Sequence, residues 1–423
     1  MGQDDPVYAK CAVRLIPFMV LLFTVNYLDR VNVGFAALTM NKDLGFSPTA
    51  YGFGAGVFFA GYVAFQVPSN VMIARVGARR WISCIVALWG VISAACAFVQ
   101  GPTSFYVLRF LLGAAEAGLF PGMIFYLTLW FPHAYRARFA ATIIAANPLS
   151  GVIGGPLSSA ILDMDGIFGL HGWQWLFLIE GLPACAMAIA VLNLMPDGPD
   201  RASWLSTEEK ATIAGQIAEE DTGEKREFWS ALRDPRVLAL SVTAFGIQSA
   251  LFGINLWLPQ IVQAMGFSAQ ATGFIVVPPY ALSAVAMILW GRSSDRRGER
   301  IWHVALAALL AAAGLIAASL IHSDVLVLLA LTVAVVGIGS TLGPFWGLPS
   351  SFLGAMGAAG GIAFVNSIGS LGGFLAPTVI GILREQTGDY AAAMFVLAMG
   401  LLVSTGFVLV LGRMMSAMKV QYS

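Results

Sequence analysis

The sequence predicts an all-α membrane protein whose twelve transmembrane helices form two pseudo-symmetric halves of six. Three observations support this fold class: an apolar composition, twelve apolar stretches of membrane length, and a basic loop motif that occurs in each half. Of the 423 residues, 58% are hydrophobic and 11% are charged, with a mean hydropathy of +0.80. A soluble protein has about 25% charged residues. The formal net charge of zero also argues against nucleic acid as a partner.

Each of the twelve apolar stretches has the length of about 20 residues that a helix needs to cross the hydrocarbon core. The first stretch is too long for the apolar region of a signal peptide, so we expect it to remain as an uncleaved span. The predicted spans are 14–36, 50–72, 81–100, 104–130, 139–162, 174–194, 237–263, 271–291, 302–321, 325–350, 359–383 and 390–412.

A polar stretch divides these spans into two sets of six. We therefore expect an N-terminal six-helix half at 1–195, a cytoplasmic linker at 196–236 and a C-terminal six-helix half at 237–423. Within the linker, Ser206 and Glu209 have the spacing of a capping box. This spacing predicts a short surface helix that begins after Ser206.

The distribution of basic residues predicts the orientation in the membrane. If both termini are cytoplasmic, only Lys42 and Arg384 of the 23 Lys and Arg residues fall in external loops, while Arg30 and Arg109 fall inside spans. Cytoplasmic loops of membrane proteins carry the excess of basic residues. We therefore expect a multi-pass protein of the bacterial inner membrane with both termini in the cytoplasm.

The loop that follows the second span is repeated after the eighth span. Both copies contain an Arg-x-Gly-x-Arg core, and the copies lie 221 positions apart, from Arg75 to Arg296. Basic residues alone would be expected at a cytoplasmic loop, but the shared glycine at the same spacing indicates a duplication. Two six-span halves that are parallel repeats have this pattern.

All of the charged residues inside the predicted spans belong to the first six. Apart from Arg14 at the edge of the first span, they are Asp29, Arg30, Arg109, Glu116 and Glu180. Placing a charged side chain in the hydrocarbon region of the membrane costs at least about 2.5 kcal/mol of insertion free energy. Such residues therefore normally face a polar cavity and have a function there. We expect the ionisable chemistry in the N-terminal half, with Glu180 near a span end in a structural role.

Two interpretations of these charges remain open at the sequence level. Arg109 and Glu116 are seven positions apart and share a helix face, so they and the adjacent residues Asp29 and Arg30 can be static ion pairs that fix helix packing. Alternatively, the acids load and release protons and the arginines hold an anion. Neighbouring residues on a helix point about 100° apart, which favours separate roles for Asp29 and Arg30.

The sequence lacks the motifs that are typical of nucleotide binding, zinc catalysis and dithiol redox chemistry. The chain contains no P-loop and no H-E-x-x-H, and its cysteines show no C-x-x-C spacing. We expect no enzyme activity, no cofactor and no bound metal. The four cysteines are expected to be free thiols.

The second copy of the repeated loop resembles the signature of the major facilitator superfamily, at Gly291, Asp295, Arg296, Gly298 and Arg300. That resemblance implies a major facilitator fold and a gating role for Asp295 and Arg296. The first copy has Asn70 in place of the glycine and Ala74 in place of the acid. We therefore expect an acidic latch in the second half alone.

Further segments resemble the anion:cation symporter family of that superfamily, over essentially the whole chain. This family includes carriers for galactonate, tartrate, phthalate and hydroxyphenylacetate and is related to sialin and the vesicular glutamate transporters. The segments are Asn26-Tyr27-Leu-Asp29-Arg30-Val-Asn32, Arg109-Phe-Leu-Leu-Gly113-Ala-Ala-Glu116-Ala-Gly118, residues 172–181 and residues 366–373.

The resemblance implies a carrier that imports a small organic carboxylate, such as a sugar acid, hydroxy acid or aromatic acid, by proton symport. Arg30 would bind the substrate carboxylate, Asp29 and Glu116 would be the protonation sites, and Arg109 would orient or tune Glu116 at the substrate site. Further substrate contacts would come from Tyr27, Tyr62, Asn147, Trp346 and Asn366. The expected partners are the carboxylate, protons and the lipid bilayer. An exchanger or uniporter without proton coupling, or a non-transporting sensor of organic acids, remains an alternative.

Overall fold

A computed structural model describes residues 6–144, 146–220, 234–349 and 355–421. Within these residues all regular secondary structure is helical, and twelve helical segments are long and apolar enough to cross a membrane. The predicted fold class is thereby confirmed. Residues 221–233 of the predicted linker lie outside the described residues.

The described residues contain sixteen helical segments, two of which are separated only by residue 145, which lies outside the described residues. Three of the predicted spans, 174–194, 237–263 and 302–321, match a single helix to within two residues at each end, and most others extend beyond the prediction. The tenth span ends at Trp346 rather than at position 350. The helices are α1 Pro6–Asp43, α2 Pro48–Val76, α3 Ala78–Ala95, α4 Pro102–Glu116, α5 Leu119–Trp130, α6 His133–Ile144, α7 Ala146–Leu162, α8 Gly172–Leu194, α9 Thr207–Glu220, α10 Pro235–Ala264, α11 Ala269–Ile275, α12 Val277–Arg297, α13 Ile301–Leu320, α14 Asp324–Trp346, α15 Ala355–Thr387 and α16 Ala391–Gln421.

The fourth span is interrupted in the middle of the bundle. Helix α4 ends at Glu116 and α5 begins at Leu119, because Pro121 lacks the N–H that would bond to the carbonyl one turn earlier. Gly118 occupies the break, and a Cβ there would lie 1.8 Å from Ser69 Oγ. The interruption places the Glu116 carboxylate at a helix end inside the protein.

The two ends of the bundle differ in charge and in contacts. We call the end whose loops carry Arg75, Arg79, Arg296 and Arg300 the basic end. Because the chain crosses the bundle twelve times, α1 begins and α16 ends there. The linker helix α9 also lies at this end.

At the opposite end, hydrogen bonds join the two sets of six spans. Tyr51 Oη donates to the Leu256 carbonyl at 2.8 Å, and Asn41 Nδ2 donates to Gln260 Oε1 at 3.1 Å. Among the described residues, the cross-half hydrogen bond that reaches furthest toward the basic end is from Ser367 to Gln66. The halves are thus bonded from the middle of the bundle to the opposite end.

Two equivalent helix crossings reinforce this contact, and we call them the glycine seam. A Cβ on Gly52 of α2 would lie 2.3 Å from the Pro377 carbonyl oxygen of α15. A Cβ on Gly273 of α11 would lie 2.4 Å from the Gly155 carbonyl oxygen of α7. Gly52 and Gly273 are separated by the same 221 positions as the repeated loops. At both crossings the halves touch backbone to backbone.

The linker helix is bound to the N-terminal six spans. Its predicted capping box is confirmed, since Glu209 N donates to Ser206 Oγ at 3.1 Å and Ser206 N donates to Glu209 Oε2 at 2.8 Å. Lys10 of α1 donates to both Glu209 oxygens at 2.8 Å. Trp204 stacks on Trp130 with ring centroids 5.5 Å apart. These contacts hold α9 against the basic end of α1 and α5.

Candidate functional site

Asp29 and Arg30 of α1 point to different neighbours, as their helical spacing predicts. Asp29 is buried and faces α3, where its carboxylate accepts hydrogen bonds from Trp89 Nε1 at 2.7 Å and from Ser93 Oγ. Asn32 of α1 also donates to it at 3.2 Å. Neutral donors therefore satisfy this buried carboxylate.

Arg30 faces α2 and α4, where it pairs with Glu116. Its Nη2 and Nε donate to Glu116 Oε2 at 2.8 Å and 3.3 Å. The guanidinium carbon also lies 5.2 Å from the Phe58 ring and 5.1 Å from the Tyr62 ring. The ion pair thus joins two helices, and it is neither the Asp29–Arg30 pair nor an Arg109–Glu116 pair.

The two partners of this ion pair differ in exposure. The Arg30 side chain is 12% exposed, whereas the Glu116 side chain is fully buried. Among the described residues, Glu116 Oε1 has no hydrogen-bond partner. The arginine therefore keeps a small exposed surface, and the glutamate has one oxygen free to take a proton.

Arg109 lies behind this pair rather than beside it. Its side chain is fully buried, and its guanidinium carbon lies 4.9 Å from the Phe58 ring that also contacts Arg30. Within the part of the chain that the structure describes, its three guanidinium nitrogens form no hydrogen bond. Arg109 acts electrostatically on both Asp29 and Glu116. Any tuning of Glu116 would therefore act through space rather than through a direct bond.

A cavity lies between the halves, beside Tyr27 of α1. Tyr27 and Asn147 line it from the N-terminal half, and Asn255 and Tyr280 line it from the C-terminal half. Asn255 Nδ2 donates to Tyr27 Oη at 3.0 Å, and Tyr280 Oη donates to Asn255 Oδ1 at 3.1 Å. We call Tyr27, Asn255 and Tyr280 the polar relay.

Sequence reasoning missed two members of this relay. Asn255 and Tyr280 are polar groups inside the apolar seventh and eighth spans, which is the same signal that singled out Asn147. Asn255 and Tyr280 are distant from Tyr27 in sequence, and only the tertiary structure brings their helices against the N-terminal half. The sequence pattern alone therefore could not show that they converge on Tyr27.

The other predicted substrate contacts lie at different distances from Arg30. Tyr62 is buried beneath the Arg30 guanidinium, and Asn366 adjoins the Tyr62 hydroxyl. Trp346 is half-buried at the end of α14, where its ring packs on Phe345 with centroids 5.1 Å apart. Trp346 and Asn366 are not among the residues that line the cavity.

The predicted gating pair lies at the basic end. Asp295 and Arg296 are exposed in the last turn of α12, and neither forms a salt bridge with another described residue. Arg300 donates to the Gly347 carbonyl after α14. Glu299 accepts a hydrogen bond from Trp302 N at 2.7 Å, which caps α13. Although burial raises the pKa of Glu299, hydrogen bonds from Trp302 and His303 bring it below its usual value.

Glu180 lies near Asp29, which acts on it electrostatically, and near Asn32, which donates to Asp29. Glu180 is buried in α8, where Ser158 Oγ donates to its Oε1 at 3.3 Å. This bond ties α8 to α7, which agrees with a structural role. The described residues contain no group of three or more His, Cys, Asp or Glu side chains that could hold a metal ion.

Comparison with known proteins gives concordant results. The family model of the Major Facilitator Superfamily matches residues 19–377. A protein of Agrobacterium vitis named "Putative tartrate transporter" is 48% identical over 410 residues, which cover 96% of this chain and 91% of that protein. The "Quinolone resistance transporter" of Acinetobacter baumannii is 40% identical over 95% of this chain and 94% of its own length.

A solved structure shares the fold at low sequence identity. It is the crystal structure of a bacterial homolog of the human lysosomal transporter Spinster in an inward-facing and unoccupied conformation. The TM-score is 0.79 with 17% sequence identity, and the alignment covers 97% of this chain and 98% of that chain.

Proposed function

The chain belongs to the Major Facilitator Superfamily, and on that premise we propose that it imports a small organic carboxylate together with protons. It is a multi-pass membrane transporter and not an enzyme. The observation that carries the proposal is the ion pair between Arg30, whose side chain keeps a small exposed surface, and Glu116, which is fully buried.

The physical argument begins with the cost of a buried cation. Arg30 stays charged at all physiological pH values, so removing its anionic partner without replacement is strongly destabilising. Glu116 supplies that partner in the structure. A substrate carboxylate can take the same place and can accept with both of its oxygens, whereas Glu116 accepts with Oε2 alone. Glu116 must then lose its charge, and a proton from the medium removes it.

Proton binding and substrate binding are coupled by this exchange. When Glu116 is protonated, Arg30 is free for the substrate carboxylate, and when the substrate leaves, Glu116 releases its proton and pairs with Arg30 again. The site thus holds one negative partner for Arg30 in both states. Such differential affinity between two states is the requirement for a coupled carrier.

Asp29 serves as a second protonation site in this proposal. Its burial favours the neutral form, whereas the hydrogen bonds that it accepts from Trp89, Ser93 and Asn32 favour the charged form. Arg109 acts electrostatically on both acids. Charge on one acid therefore influences the other through Arg109, without a hydrogen bond between them.

The orientation follows from the basic loops. With the basic end in the cytoplasm of a bacterial inner membrane, both termini are cytoplasmic and residues 1–195 and 237–423 act as two halves joined by the linker at 196–236. The glycine seam is then external, and the cavity lies on the cytoplasmic side of it. Asp295 and Arg296 would engage when the halves close at the basic end.

The names of the relatives support a carboxylate as the common substrate feature. Tartrate is a small dicarboxylic hydroxy acid, whereas quinolone drugs are larger aromatic acids, and both bear a carboxylate. An arginine pairs with either one through the same fork of N–H groups. Polar groups further from Arg30, including Asn147, Tyr62, Asn366 and Trp346, would then select among carboxylates.

Reconstituted liposomes test this function. Substrate-free vesicles with an acidic exterior should accumulate a radiolabelled carboxylate, and a protonophore should abolish the accumulation. The variant Arg384→Gln, whose arginine packs on Tyr390 far from the ion pair, serves as a matched control and should accumulate substrate normally. Accumulation that persists without a proton gradient would instead support an uncoupled carrier. Binding without uptake would support a sensor.

A further inference from the structure

We infer that Glu180 delivers protons to Asp29, and that these protons come from the end of the bundle opposite the basic end, along the interface between α1 and α8. This inference rests on the proposed function, because it takes Asp29 as a protonation site. It gives Glu180 a role beyond accepting the hydrogen bond from Ser158.

The burial of Asp29 is the first argument. Its exposed fraction is 1%, and it is not among the residues that line the cavity between the halves. Trp89 and Ser93 of α3 cover its carboxylate with their hydrogen bonds. A proton in the cavity therefore does not meet Asp29 directly. A route that is separate from the cavity has to pass between helices of the N-terminal half.

The surroundings of Glu180 favour its neutral form. It is buried, and none of the salt bridges between described residues involves it. The charged group that acts on it is Asp29, which repels a second negative charge. A buried carboxylate without a cation takes up a proton instead. When Asp29 is charged, Glu180 therefore holds a proton.

The helices packed around Glu180 leave this control to Asp29. Within the described residues, Asp29 is the one titratable group that acts electrostatically on Glu180. Helix α7 contributes Ser158, and α1 contributes Asn32 beside Asp29. The residues of α3 that approach α8 at this level are Gly90, Ser93 and Ala94. The two acids thus share protons as a pair.

Unpaired polar atoms mark the interface between α1 and α8. Glu180 Oε2, Asn32 Oδ1 and Thr39 Oγ1 are buried and have no hydrogen-bond partner among the described residues. Buried polar groups are normally bonded to protein or to ordered water. Asn32 adjoins the Glu180 carboxyl and donates to Asp29 at 3.2 Å. A proton on Glu180 gives the Asn32 oxygen a donor, so that one amide joins the two acids.

The depth of these groups gives the direction of delivery. Trp173 Nε1 of α8 donates to Asp43 Oδ2 of α1 at 3.0 Å, so the two helices are level at this bond. It lies at the end opposite the basic end. With a rise of about 1.5 Å per residue, Glu180 is about 10 Å below the bond, Asn32 about 16 Å and Asp29 about 21 Å. With the basic end in the cytoplasm, an external proton meets Glu180 before Asp29.

The transfer conserves protons and charge. Glu180 gives the proton on Oε2 to a water molecule between the acids, and that water gives a proton to the Asp29 carboxylate. Glu180 is then the carboxylate and Asp29 the neutral acid. The Asn32 amide turns over, so that its N–H donates to Glu180 and its oxygen accepts from Asp29. A proton from the external side then reloads Glu180.

Infrared spectroscopy of the protein in lipid vesicles tests the protonation without any substrate. The unaltered protein at pH 7 should show the carbonyl band of a protonated carboxylic acid, and Glu180→Gln should lose that band. Glutamine keeps the size of the side chain and the oxygen that accepts from Ser158. Absence of the band in the unaltered protein, or an unchanged band in Glu180→Gln, would overturn the inference.

Liposome assays with L-tartrate as the probe test the delivery. Glu180→Gln should slow net proton-driven uptake by about 100-fold, which is within the range that a positioned proton-transfer group contributes. The remaining uptake should rise in proportion to the external proton concentration, and exchange of external for internal substrate should be retained. Equal loss of net uptake and exchange would instead assign Glu180 a purely structural role.

Two further variants separate delivery from helix packing. Ser83→Ala is the matched control, because Ser83 Oγ donates to the Ala188 carbonyl at 2.9 Å and joins α3 to α8 without a titratable group. This variant should show normal net uptake. Asn32→Leu should keep the infrared band of Glu180 but slow net uptake, since it removes the amide between the acids. Normal net uptake in Asn32→Leu would overturn the inference.

Failure of this inference can be distinguished from failure of the proposed function. If the proton gradient drives uptake equally in the unaltered protein and in Glu180→Gln, the carrier function stands and the inference is wrong. If the gradient drives no uptake of L-tartrate by the unaltered protein, the proposed function fails for this substrate. The infrared comparison then still decides whether Glu180 holds a proton, because it needs no substrate.

Discussion

The two halves of the bundle present different chemistry to the space between them. The N-terminal half contributes Arg30 and Glu116 as an ion pair, with Asp29 and Arg109 buried behind it. The C-terminal half contributes amide and hydroxyl groups, and its predicted spans contain no Asp, Glu, Lys or Arg. The comparison indicates different roles for the two halves. The N-terminal half would bind the anion and the proton, and the C-terminal half would recognise the shape and the neutral groups of the substrate.

The two kinds of chemistry meet at Tyr27. Its ring lies 6.0 Å from the Arg30 guanidinium carbon, and its hydroxyl accepts a hydrogen bond from Asn255 of the other half. A substrate that binds between the halves therefore contacts both chemistries at once. Variants in each half should consequently fail in different ways, and the predictions below proceed from the largest expected effect to the smallest.

Removing the cation should have the largest effect. Arg30→Ala should weaken carboxylate binding by about 10- to 100-fold, since hydrogen bonds to charged groups contribute about 1.5–3 kcal/mol. Arg30→Lys should restore little, because the ammonium group lacks the bidentate fork. Isothermal titration measures both, with Arg384→Gln as the control. If Arg30→Ala binds as tightly as the unaltered protein, the carboxylate site lies elsewhere.

Neutralising Glu116 should separate two modes of transport. Glu116→Gln keeps the shape and one hydrogen-bond acceptor but holds no proton to release, so net proton-driven uptake should be lost. Exchange of external for internal substrate needs no return of the empty carrier and should survive. Paired liposome assays and a melting curve measure this. Equal loss of both modes in a poorly folded variant would support a purely structural ion pair.

The corresponding change in the C-terminal half should alter affinity without altering coupling. Asn366→Ala removes an amide that adjoins Tyr62, so KM should rise by about tenfold or less, as expected for one neutral hydrogen bond. The ratio of protons to substrate should remain that of the unaltered protein, because the charged residues are intact. Loss of proton dependence in Asn366→Ala would contradict the division between the halves.

The smallest effect should come from the linker. The hydrogen bond from Lys10 holds the pKa of Glu209 below its usual value, so its contribution to stability is present above the ordinary carboxyl pKa of about 4.3. That contribution is lost as the pH falls through the lowered pKa. Glu209→Gln should therefore lower the melting temperature slightly at pH 7, and the difference should disappear in strong acid. A difference that is independent of pH would exclude the ion pair as its cause.

The fold was largely predictable from the sequence, but the pairing of the charges was not. Twelve apolar stretches and the repeated Arg-x-Gly-x-Arg loop lead directly to the twelve helical spans. Helical spacing also predicts that Asp29 and Arg30 point apart. The bond between Arg30 and Glu116 joins residues 86 positions apart, and nothing in a helical period shows which helices become neighbours.

The interruption at Glu116 illustrates the same limit. Pro121 is visible in the sequence, but a proline in a span can kink a helix without ending it. Glycine is required at position 118 because Ser69 of α2 approaches closely, which is a tertiary contact. The polar relay was missed for the same reason. Asn255 and Tyr280 became candidates only because their hydrogen bonds connect them to Tyr27 of the other half.

The glycine seam has a consequence for the energy of conformational change. Gly52 and Gly273 meet carbonyl oxygens of helices, and these oxygens keep their own helical bonds when the halves part. Parting the halves at these two glycines therefore breaks no helical backbone bond, although the hydrogen bond from Ser159 Oγ to the Ala269 carbonyl beside Gly273 is lost. The two crossings are also equivalent through the 221-residue offset, so they should open by similar movements. The close contact between the duplicated halves therefore depends on two residues that have no side chain, and it can form and separate reversibly.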